Sequence, residues 1–105
     1  MKYIITESKL ESLVFNYLDN QNFYVIHHMG DIYFSESEQD WKSGGYAIIG
    51  YHKKHNDVFI SSELIEKISN IFGLDINYVM DIINNWIMYN YDVKDSTPYS
   101  DFGSD

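Results

Sequence analysis

The clearest pattern along the chain is helical. Leu10, Leu13, Val14, Tyr17 and Leu18 fall at i, i+3, i+4, i+7 and i+8, which places them on one helix face. Ser8 and Glu11 stand at the front as an S-x-x-E capping box. The spacing predicts a helix over 8–19, ending in the polar stretch 20–22 and preceded by a short β-type run at 2–6. β-Forming runs follow at 23–29, 32–35, 46–51 and 58–61. Gly30-Asp31 between the first two reads as a two-residue hairpin turn, since glycine reaches the positive φ such turns require. Gly50 inside the third run suggests a bulge.

The helical period returns with Leu64, Ile65, Ile68, Ile71 and Phe72. Ser61 or Ser62 is placed to cap this helix, Glu63 sits in its first turn, and Gly73 supplies its stop. Asp75 then caps a last helix carrying Ile76, Val79, Met80, Ile83, Trp86 and Ile87 to about residue 90. The order β-α-β-β-β-β-α-α predicts an α+β domain. Its expected form is an antiparallel β-meander of four to five strands, with the N-terminal helix and the C-terminal helical hairpin packed on one face. Residues 1–91 form this single domain, and the polar, acidic segment 92–105 is expected to be a mobile tail.

Composition narrows the function classes. There is no cysteine, so disulfides and thiolate metal sites are excluded. The opening MKYIITESKLE lacks the basic and apolar regions of a signal peptide, and no apolar run approaches a membrane span. The expected location is therefore the cytoplasm. Arginine is absent, alanine and proline occur once each, and Phe, Tyr, Met, Ile, Asn and Lys make up close to half of the chain. These are residues of AT-rich codons, so abundant Tyr, Asn and Ile need no functional cause. The net charge of −9 disfavours nucleic acid and anionic membranes and favours basic protein partners or cations.

The segments IITESKLESLVFNYLDNQNF and ISSELIEKISNIFGLDINYVMDIINNWI, with the turn Phe72-Gly73-Leu74-Asp75, resemble small uncharacterised proteins of environmental tailed phages. The resemblance spans most of residues 3–91 and implies a phage origin, with the host cytoplasm as the place of action. It brings no catalytic or binding residue with it.

Candidate chemistry falls into three groups. The first is acidic and aromatic: Glu36, Glu38, Asp40 and Trp41 in a polar loop, with Tyr99 and Phe102 in the acidic tail. Carboxylates so placed suit a basic partner or imitate nucleic-acid phosphates, and an exposed aromatic anchors an interface. The second is a set of histidines, all between positions 27 and 57. His28, His52, His55 and Asp57 converge at one end of a meander, and zinc is the metal such a set would hold. The third is a virion component known by self-assembly. No nucleophile elbow or phosphate-binding loop occurs, so no catalytic residue and no cofactor are assigned. The helical pair at 62–90 outlines a helix-turn-helix, but no basic residue lies between Ile68 and Val93 to meet phosphates. The reading is an accessory protein that binds another protein.

Overall fold

The structure, a computed structural model, describes residues 2–101, with side chains from Lys9 onward. It is an α+β fold with the helices α1 (Lys2–Asp19), α2 (Glu38–Lys42), α3 (Ser62–Phe72) and α4 (Ile76–Tyr91). The strands are β1 (Tyr24–His28), β2 (Asp31–Ser35), β3 (Ile49–His52), β4 (Asp57–Ile60) and β5 (Thr97–Ser100). They form one sheet in the order β1-β2-β3-β4-β5, antiparallel except for the parallel pair β4–β5.

The N-terminal expectation is corrected. Residues 2–6 belong to α1 and Ser8 lies inside the helix, so the helix does not start at Ser8. Once the 10–18 stripe has nucleated a helix, each further residue adds a hydrogen bond at little cost, whereas an isolated strand has no ladder to join. The hairpin is present but shifted by one residue. Its central residues are Met29 (φ 52°) and Gly30 (φ 93°), while Asp31 starts β2 opposite His28. Two successive positive φ values are what the right-handed twist of a two-residue hairpin demands.

Two segments read as loop or tail are ordered elements. The acidic loop contains α2, started by Ser37, whose Oγ accepts from the Asp40 N–H at 3.0 Å. The segment expected to be a mobile tail contains β5, which lies parallel to β4 with Val58 opposite Pro98. A parallel neighbour needs a crossover, and the α3–α4 hairpin is that crossover. Polar clasps fix the new strand. Asn56 Nδ2 donates to the carbonyls of Lys94 and Asp95, and Asn56 accepts from the Thr97 N–H. Asn84 Nδ2 donates to the Ser96 carbonyl inside the protein. The Ser62 N–H at the start of α3 donates to Asp101 Oδ1 at 2.9 Å, a cap that Ser61 does not supply.

Alternate strand positions go inward. Ile32, Phe34, Ile49, Tyr51, Val58 and Ile60 join Val14 and Leu18 of α1, Leu64, Ile65 and Ile68 of α3, and the buried stripe of α4 in one core. Trp86 packs on Phe34 and Phe23, and its Nε1–H donates to Asp19 at 3.0 Å. The intervening positions carry Tyr33, Gly50, Phe59 and Tyr99 as neighbours across the sheet. Gly50 makes no bulge: it stays in register with Tyr33 and Phe59, and the Tyr33 ring lies 3.3 Å from where a Cβ would stand. Among the described residues, no helix is long and apolar enough to cross a membrane.

Candidate functional site

A cleft of about 840 Å³ lies between the α2 region and α3. Its α3 wall follows from the helical period. Leu64, Ile65 and Ile68 turn into the core, and Glu63, Glu66, Lys67 and Asn70 form the opposite stripe facing the cleft. The other wall comes from the turn after β2 and from α2, which bring Glu36 and Asp40. Phe23, Ala47, Ile48 and Leu64 give the cleft an apolar lining. Four carboxylates from two chain segments thus line the cleft, together with Lys67.

Gly45 shapes the α2 side. Its N–H donates to the Asp40 carbonyl at 3.0 Å, and a Cβ at this position would lie 2.6 Å from that same oxygen. Only glycine lets the chain close this tightly behind Asp40. Chemically, such a cleft suits a lysine or arginine side chain, with its aliphatic stem along apolar surface and its charged head among carboxylates.

The acidic loop residues named from sequence part company here. Glu36 and Asp40 line the cleft, whereas Glu38 turns to Lys42 (2.7 Å) in an exposed i,i+4 pair. That hydrogen bond, with the carboxylate charge, raises the Lys42 pKa. Trp41 leaves the cleft and stacks on Tyr33, with ring centroids 5.8 Å apart. Tyr99, on β5, packs edge-on against Phe59 at 5.5 Å and remains 40% exposed. Phe102 lies outside the described residues. In the sequence Glu63 stands out only as a helix-start charge, and Glu66 not at all. Their 3–4 spacing on the polar side of α3 was visible, but what that side faces depends on contacts distant in sequence.

The histidine set lies elsewhere. His28, Asp31, His52, Asp57 and Thr97 occupy the same register level across the five strands. His52 Nδ1 and Asp57 Oδ1 are 3.1 Å apart, while His55 is exposed in the turn between β3 and β4. Asp31 accepts from the Lys53 N–H at 2.9 Å and from the Tyr33 hydroxyl at 3.1 Å. The Lys53 N–H is the main cause of its lowered pKa, with help from Tyr33 and from nearby His52 and His28. Burial raises the Tyr33 pKa, and the Asp31 carboxylate raises it further. Among the described residues, no three His, Asp or Glu side chains come together as a set able to hold a metal ion.

Compared with family models, curated proteins and solved structures, the chain matches none.

Proposed function

We propose that this chain is a non-enzymatic accessory protein of phage type that docks a basic segment of a partner protein in the cleft between α2 and α3. The observation that carries this reading is the gathering of Glu36, Asp40, Glu63 and Glu66 around a groove of mixed polar and apolar lining, where they outnumber its single lysine, Lys67. In a chain of net charge −9, this concave acidic site gives a partner's lysines and arginines both a groove and charge to meet. We take α1, α3 and α4 to form one layer over the sheet, which makes the α3 wall of the cleft a rigid one. Residue usage and the resemblance of the two amphipathic segments support the phage setting.

The test is a binding isotherm with an arginine- and lysine-rich peptide of about eight residues, for the wild type and for the combined variant E36Q/D40N/E63Q/E66Q. Each lost carboxylate contact at an exposed site removes about 0.2–1 kcal/mol, so the variant binds about fourfold or more weakly. Its salt dependence also flattens. Equal affinity of the two proteins sinks the proposal. The histidine alternative rests on the His52–Asp57 pair with His28 at the same level, and its measure is zinc bound per chain before and after His52→Ala.

A further inference from the structure

The two edges of the sheet differ. β5 carries Pro98, which has no N–H to offer. Thr97 turns its N–H to Asn56 and so toward β4, which leaves Pro98 and Ser100 as the outward positions. β1 has no such guard. Its sequence Tyr24-Val25-Ile26-His27-His28 contains no proline, lysine or carboxylate, and among the described residues its only strand neighbour is β2.

The hairpin fixes which backbone groups of β1 point away from β2. His28 and Asp31 close a two-residue turn, so they form a hydrogen-bonded pair, and Ile26–Tyr33 and Tyr24–Ser35 repeat it. The Phe34 carbonyl confirms this alternation, since it points the other way and accepts from Ile48 on the β3 side. The N–H and C=O groups of Val25 and His27 therefore point outward. An exposed row of this kind is a template for another strand.

We propose that β1 pairs antiparallel with β1 of a second copy of this chain, about a two-fold axis through Ile26. The register is self-complementary. Val25 exchanges two hydrogen bonds with His27 of the second copy, His27 does the same with Val25, and Ile26 meets Ile26. Tyr24 then lies opposite His28. Charge permits a second copy at this edge. From Asn20 to Gly30 there is no acidic residue and no lysine, so two molecules of net charge −9 approach here without setting carboxylate against carboxylate. The interface is narrow, which places it among weak, concentration-dependent contacts.

The pairing uses the outward backbone groups of Val25 and His27, neither of which lines the cleft, so it stands or falls apart from the docking of a basic segment. Its test is sedimentation velocity from about 10 μM to about 1 mM, together with amide hydrogen exchange on the concentrated protein. The expected result is a monomer–dimer equilibrium in which the Val25 and His27 amides become protected as concentration rises. The amides of Tyr24, Ile26 and His28 are protected at every concentration. His27→Pro removes one outward N–H that β2 does not use, and Ile26→Lys sets like charges across the axis. Each weakens the dimer about tenfold or more. If His27→Pro does not fold, Ile26→Lys decides alone. A monomer throughout the range, a dimer indifferent to both variants, or Val25 and His27 amides that stay fast at high concentration overturns the proposal. So does strand addition by a different protein while this chain alone stays monomeric.

Discussion

Asn84 lies within α4 with its side chain buried, donating to the Ser96 carbonyl at 3.0 Å and accepting from the Ser96 hydroxyl at 2.7 Å. A polar residue in a helix interior is spared the cost of burial only when its partners are complete. Here one amide pairs with both the carbonyl and the hydroxyl of Ser96, the residue just before β5. Asn84→Leu is expected to leave both groups unpaired and to lower stability by about 2 kcal/mol, measured by urea unfolding. A cost under about 0.5 kcal/mol means that the pair does not hold the strand. Nothing in the local sequence marks Asn84 as different from Asn85 or Asn90. Only the position of Ser96 across the fold does so.

Among the elements, β5 and α3 hold one another. Asp101 follows β5 and accepts from the first N–H of α3, and this contact with Ser62 is the main cause of its lowered pKa. Asp31 is lowered in the same way by the Lys53 N–H. For a carboxyl whose folded pKa lies below its unfolded value, the stabilisation is complete above that unfolded value of about 3.9. It is lost as pH falls through the folded value. Acid titration of the melting temperature should therefore show a fall beginning near pH 4, and the double variant D31N/D101N should show a shallower one. Identical acid limbs in the two proteins contradict this. Strongly periodic elements were legible in sequence: α3 with its Gly73 stop, α4 with its Asp75 cap, and the four consecutive strands. β5 was not, because a four-residue strand of Thr, Pro, Tyr and Ser has no hydrophobic alternation to read. It is held by Asn56, Asn84 and a parallel ladder, all of them distant in sequence.

For the molecule as a whole, a net charge of −9 favours a basic partner over an acidic one without saying where it would dock. Glu36 and Asp40 were legible as candidates because they crowd one polar segment. Their companions Glu63 and Glu66 become companions only when α3 packs beside that segment. Glu38 and Trp41, equally prominent in sequence, are turned aside by Lys42 and Tyr33. The central claim is that this cleft, and not diffuse negative charge, receives the partner. It is tested most directly by following the amide resonances of ¹⁵N-labelled protein as the arginine- and lysine-rich peptide is added. The account predicts saturable shifts confined to residues 36–48 and 61–70, lost in the E36Q/D40N/E63Q/E66Q variant. Shifts spread evenly over the acidic surface, or centred on the His52–Asp57 end of the sheet, would contradict it.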